Sequence, residues 1–168
     1  MNSISLHRWA RRALFAAIFM IMLLALAFAA GLRVNPTPSL PKGLYRIVSG
    51  TPVRGDLVSF CLEGEFVDLA RERGYLEAGS CSSGLRPLLK RLEGLSGDFV
   101  DPANLVLRLF DRQGRPMTSA LRPEIIPAGM AMVLADHPGS FDSRYFGLIP
   151  LDSLQRVEPV FLFNSKGE

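Results

Sequence analysis

Asn35-Pro36-Thr37-Pro38-Ser39-Leu40-Pro41-Lys42-Gly43-Leu44-Tyr45 divides the chain in two. A long apolar run ends just before it, and the first strand-like pattern begins within it at Leu44. Each proline fixes its own φ and pushes the residue before it out of the helical region, so a stiff, extended path is expected. In an extended chain residues i and i+2 point to the same side, which would set the Thr37 and Ser39 hydroxyls side by side. Taken alone, the segment also reads as a proline-rich linker between an anchor and a domain.

Upstream, Ala13 to Leu32 is a charge-free apolar run of 20 residues, enough to span a bilayer core. Arg8, Arg11 and Arg12 precede it and only Arg33 follows closely. The bias of positive charge keeps the N-terminus in the cytoplasm and sends the rest outward. The expected organisation is a basic cytoplasmic segment (1–12), a transmembrane helix (13–32) and an extracytoplasmic domain (33–168). The competing reading is a cleaved secretory signal ending near Ala27-Phe28-Ala29, although the apolar run is long for a signal's core. Both readings put residues 34–168 outside the cytoplasm.

The basic balance belongs to the anchor. Residues 1–33 hold four arginines and no acidic side chain, leaving 15 of the 19 basic side chains against 16 acidic ones. The excess positive charge is therefore a topology signal and does not suggest a nucleic-acid surface. The two cysteines, Cys61 and Cys81, suit one disulfide in an oxidising compartment; two buried free thiols are the alternative.

Downstream, short apolar patterns are punctuated by glycine and proline. Strands are expected over residues 44–48, 56–61, 129–135 and 157–163, and a helix over residues 65–75. Residues 104–111 alternate like a strand, and Asp111 to Gly114 reads as a hairpin-like turn. The tail from Asn164 to Glu168 is expected to fray. The fold class is mainly β, a sandwich- or barrel-like domain with one small helix behind a single N-terminal transmembrane helix.

Lys90 is the unusual residue. If residues 88–92 form a strand, Leu88, Lys90 and Leu92 share one face while Leu89, Arg91 and Glu93 take the other. Burial between leucines disfavours the ammonium form and lowers its pKa. A neutral lysine amine can serve as general base for a serine. The plain alternative is a solvated lysine beside Arg91.

Four segments occur here in order: T-P-S-L-P-K-G-L-Y, G-D-L-V-S-F, P-L-L-K-R-L-E-G-L-S-G-D and S-F-D-S-R-Y-F-G. In this order they resemble the bacterial type I signal peptidase family, from about Asn35 to Gly147 plus the preceding membrane helix. The resemblance implies a signal-peptidase-like catalytic domain with Ser39 as nucleophile and Lys90 as general base. It implies an oxyanion hole from the Thr37 hydroxyl and the Ser39 backbone N–H. Ser140 would orient the lysine amine, and Asp142 with Arg144 would form a structural ion pair. It implies no cofactor, and no residue cluster has metal-ligand spacing. Its partners would be the bilayer and a precursor protein carrying a signal peptide, at the outer face of a bacterial inner membrane.

The chain departs from the general signal peptidases in two places. Leu40-Pro41 stands where they carry a methionine after the nucleophile, and Asp136-His137-Pro138-Gly139 replaces a glycine-aspartate-asparagine run. The pattern S-x-P-x-G-x-Y, the cysteine pair and the small size look more like the TraF-type conjugative transfer signal peptidases. Those process a pilin precursor, and some join its new termini into a ring. His137 is set aside as a triad member, because it lies in a turn with no G-x-S-x-G elbow. His7 lies on the cytoplasmic side. Ser39 follows Leu32 by seven residues, roughly 23 Å at full extension, so it is expected to work close to the bilayer. Leu44, Ile47 and Phe60 are candidates for lipid contact, with core packing as their alternative. The rival readings are a signal peptidase of broad specificity and a non-enzymatic, membrane-tethered β-domain of a secretion machine.

Overall fold

The computed structural model describes residues 3–163, with side chains from residue 8 onward; the expected fraying of Asn164–Glu168 and the side chain of His7 lie outside the described residues. Helix α1 spans Ser3–Ala29, and its stretch Arg8–Ala29 is long and apolar enough to cross a membrane. None of that stretch is buried against the rest of the chain, as a lipid-facing helix requires. The helix stops three residues short of Leu32. Gly31 takes a positive φ of 80° there, and its carbonyl accepts from the Ile47 N–H. Leu32 already belongs to the first strand.

Strands β1 (Leu32–Asn35), β2 (Gly43–Ile47) and β3 (Leu57–Phe60) precede helix α2 (Phe66–Glu72). Then come β4 (Leu88–Leu95), β5 (Phe99–Val100), β6 (Glu124–Ile125) and β7 (Met130–Leu134). A one-turn helix α3 (Ser143–Phe146) leads to β8 (Ile149–Pro150) and β9 (Gln155–Leu162). Seven strands form one curled antiparallel sheet in the order β1-β2-β9-β3-β4-β7-β8, and β5 pairs with β6 as a separate ribbon. The mainly β class and the N-terminal apolar helix agree with the sequence reading, with α3 a second short helix beside α2.

Strand β4 organises the core. Its burial alternates along all eight residues, with Leu88, Lys90, Leu92 and Gly94 inside. Leu88 and Leu92 join Val58, Phe60, Val133, Phe141, Tyr145 and Phe146 in the main apolar cluster. Phe60 is therefore core, while Leu44 and Ile47 are half-buried.

Residues 104–111 do not form the expected strand. Leu105 packs against the Val100, Leu121 and Ile126 cluster, but Leu109 on the same face and Val106 and Phe110 on the other are exposed, so neither face is buried along the segment to enforce a ladder. The segment is pinned by bonds to other parts of the chain instead. The Arg108 N–H donates to the Tyr145 hydroxyl, and the Val106 carbonyl accepts from Arg144. The turn at Asp111–Gly114 closes with a backbone bond, and Phe110 bridges to Pro116.

Cys61 and Cys81 are joined by an S–S bond across a sequence separation of 20 residues, linking the end of β3 to the loop before β4. Such a loop closure contributes about 3 kcal/mol in the chain-entropy model. Cys81→Ala is expected to lower the unfolding free energy by about that amount in denaturant titrations under oxidising conditions. An unchanged midpoint would mean that the cross-link constrains little in the unfolded chain.

Candidate active site

The loop carrying Ser39 joins β1 to β2, which pair antiparallel from Leu32↔Arg46 to Asn35↔Gly43. The loop is not extended as its prolines suggest. It bends at Thr37 and turns through Pro38–Ser39. The cause is the buried side chain of Asn35, only 7% exposed. Its Nδ2 donates to the carbonyls of Leu40 and Pro41, both at 3.2 Å. Its Oδ1 accepts from the Thr37 N–H at 3.3 Å and from the Thr37 hydroxyl at 2.8 Å. One carboxamide thus ties the two ends of the loop together. The Tyr45 hydroxyl adds a 2.6 Å bond to the Pro41 carbonyl, and Leu40 is buried. Gly43 is required, because a Cβ there would lie 2.4 Å from the Phe161 carbonyl oxygen on β9. The Thr37 and Ser39 hydroxyls lie 2.9 Å apart, brought together by the turn rather than by an extended chain.

Lys90 stands on β4 between buried leucines and opposite Val58 of β3, and it is only 4% exposed. Its Nζ donates to Ser140 Oγ at 2.6 Å. Burial pulls its pKa down to about 8; the Asp142 carboxylate opposes that shift and the Arg144 guanidinium adds to it. The amine therefore loses its proton far more readily than an exposed lysine.

Ser140 is held by the loop after β7, where residues 140–146 are all buried. Asp142, fully buried, caps α3 and accepts from the Ala135 N–H at 2.9 Å. Arg144 grips it with two bonds, Nε to Oδ1 at 2.8 Å and Nη2 to Oδ2 at 2.5 Å. The same guanidinium donates to the His137 carbonyl at 3.1 Å. Ser143 Oγ accepts from the Val133 N–H at 2.9 Å, tying α3 to β7. This network fixes where Ser140 meets Lys90.

The residues singled out from sequence fall into two clusters. Lys90, Ser140, Asp142 and Arg144 form one; Thr37 and Ser39, with Asn35, form the other. Among the described residues, the Ser39 hydroxyl is bonded to Thr37 and the Lys90 amine to Ser140, and neither is bonded to the other. Tyr45, which holds the Ser39 loop through the Pro41 carbonyl, is itself buried. Its pKa is raised by burial and by the Asp136 carboxylate, with Arg91 opposing. Arg91 is the neighbour of Lys90 on β4 and contacts Asp136 at 3.5 Å, just beyond β7. His137 stays out of both hydroxyl chains: its Nδ1 accepts from the Gly139 N–H at 3.0 Å.

Asn35 and Ser143 carry structure that the sequence reading assigned to neither. The signal for Asn35 was the Asn-Pro pair, since asparagine bonds its own backbone two residues on to start a turn. Nothing in the local sequence marks Ser143, whose partner is ten residues away on β7.

Comparison with known proteins places the chain in a family. Residues 6–160 match the family model "Signal peptidase, peptidase S26". The chain is 38% identical over 166 residues to "Conjugal transfer protein TraF" of Agrobacterium tumefaciens (strain 15955), covering 89% of this chain and 93% of the relative. It is 39% identical over 138 residues to "Probable conjugal transfer protein TraF" of Sinorhizobium fredii, covering 74% and 73%. A "Plasmid transfer protein TraF" of Escherichia coli is 33% identical over 168 residues, covering 90% and 94%. With a family match across nearly the whole chain, a fitting apolar anchor and the mainly β domain behind it, this protein belongs to the signal peptidase family, peptidase S26.

Proposed function

We propose that this peptidase is a membrane-anchored serine endopeptidase that matures the pilin precursor of a conjugation apparatus, using Ser39 and Lys90. The observation that carries the reading is Lys90 itself: an amine sealed among leucines, held by Ser140, with a pKa near 8. A tethered scaffold domain has no need to bury a lysine, and burying one is costly. The substrate class follows from the family, and the conjugation role from the names of the relatives.

In this mechanism the neutral Lys90 amine takes the Ser39 proton as Ser39 Oγ attacks the scissile carbonyl carbon. The Ser39 N–H and the Thr37 hydroxyl stabilise the resulting oxyanion. Lys90, now an ammonium, gives its proton to the leaving peptide amine, and the C–N bond breaks. Water, or a peptide amine where the product is closed into a ring, then attacks the acyl ester and releases Ser39. In this reading the catalytic domain lies on the periplasmic side of the inner membrane; the short connection from α1 to β1 and the Ser39 loop supports chemistry close to the bilayer.

The test is incubation of the detergent-solubilised full chain with a propilin, read by intact mass. Cleavage is expected from the native protein and not from Ser39→Ala. The rate is expected to rise as pH rises through about 8, because only the deprotonated amine can accept the proton. Loss of a peptide plus the mass of one water would report ring closure. Processing retained by Ser39→Ala would remove Ser39 from the mechanism.

A further inference from the structure

The hydroxyl chain in the Ser39 loop has a fixed direction. An amide nitrogen only donates and an amide oxygen only accepts. Asn35 presents Nδ2 to two carbonyls and Oδ1 to a backbone N–H, so its orientation is determined by its partners. The Thr37 hydroxyl, 2.8 Å from Oδ1, must commit its single proton there. It can then only accept in its 2.9 Å contact with Ser39, so Ser39 is the donor. In the resting enzyme the Ser39 proton points along the loop to Thr37, while Lys90 points to Ser140.

We propose that Asn35 is a positioning residue for the reaction: its carboxamide holds the Ser39 loop closed and sets the direction of the Ser39–Thr37–Asn35 chain. The inference rests on the assignment of Ser39 as nucleophile. For acylation the Ser39 proton turns to Lys90 and the Thr37 proton turns to the oxyanion. Oδ1 is not orphaned by that second turn, because the Thr37 N–H still donates to it. Without Asn35, the loop ends lose four bonds at once and Thr37 loses the partner that aims it. Asn35 bonds to Leu40, Pro41 and Thr37 and not to Lys90 or Ser140, so the basicity of the amine is left alone.

The experiment measures kcat, KM and the pH profile of precursor cleavage for Asn35→Ala, Thr37→Val and the double variant, with Ser39→Ala as control. Asn35→Ala is expected to lower kcat by roughly 10- to 100-fold, with KM and the acid midpoint near the native values. If Asn35 acts through Thr37, adding Asn35→Ala to Thr37→Val costs much less than it does alone. Should Asn35→Ala fail to fold, Asn35→Asp replaces it: the carboxylate keeps the acceptor but faces two carbonyls without a donor, and kcat is again expected to fall at least about tenfold. A native rate in either variant, or fully multiplicative losses with Thr37→Val, would overturn the role of Asn35 while an inactive Ser39→Ala leaves the nucleophile in place. An active Ser39→Ala would overturn the nucleophile assignment, and this inference with it.

Discussion

Lys90→Met is expected to abolish precursor cleavage and, in the same protein, to raise the unfolding free energy at pH 7. The two effects have one cause. In the proposed mechanism the amine must lose its proton to act as a base, and burial on β4 brings its pKa down to about 8, towards physiological pH, at a cost in stability. Loss of the base is expected to lower the rate by at least about 10⁴-fold, the upper part of the range for general base catalysis. Methionine has a similar length and no charge to desolvate, so it suits the same apolar site. The gain is expected to be on the order of 1–3 kcal/mol, less whatever the lost bond to Ser140 contributed.

The pH dependence of that gain has a definite sign. Below about pH 8 both native and unfolded chains hold the Lys90 proton, and the penalty for burying the charge is fully present. Between about 8 and the ordinary lysine value of 10.5 the unfolded chain holds a proton that the native chain lacks. The native protein therefore gains stability as pH rises through that window. The advantage of Lys90→Met should be full at pH 7 and shrink towards pH 10. Denaturant titrations at several pH values check this; a variant less stable than the native protein at pH 7 would contradict the burial argument.

The second large effect is structural. Asp142→Asn is expected to destabilise the domain by about 3–5 kcal/mol, because it leaves the buried Arg144 guanidinium without its counter-charge. The neutral double variant Asp142→Asn with Arg144→Met should recover much of that loss, since it removes the orphaned charge. Where Asp142→Asn still folds, the rate profile should move to lower pH. The Asp142 carboxylate favours the charged form of Lys90, and the Arg144 guanidinium, which disfavours it, would act unopposed. A shift to higher pH, or a change in stability below about 1 kcal/mol, would remove the ion pair from this role.

The parts of this site legible in the sequence were those whose pattern is local. The alternation of Leu88, Lys90 and Leu92 predicts the buried face of β4 because a strand's period is two, and the core lies on one side only. The charge-free run predicts α1 because a bilayer demands length and apolarity alone. Where partners are distant in sequence, the pattern misleads. The prolines at 36, 38 and 41 favour an extended loop, but a buried asparagine closes it with four bonds. The alternation at 104–111 looks like a strand, yet no neighbouring strand pairs along it and only Leu105 packs against a core cluster, while Val106, Leu109 and Phe110 are exposed. The short strands β5, β6 and β8 are two residues each, too brief to carry a period.

The most direct test of the account is the titration of the Lys90 amine itself, followed by NMR of lysine-labelled full chain in detergent and assigned by its absence in Lys90→Met. A midpoint near 8 is the predicted result, with the cleavage rate rising over the same range. A midpoint near 10.5, the value of an exposed lysine, would contradict the buried base on which the proposed chemistry depends.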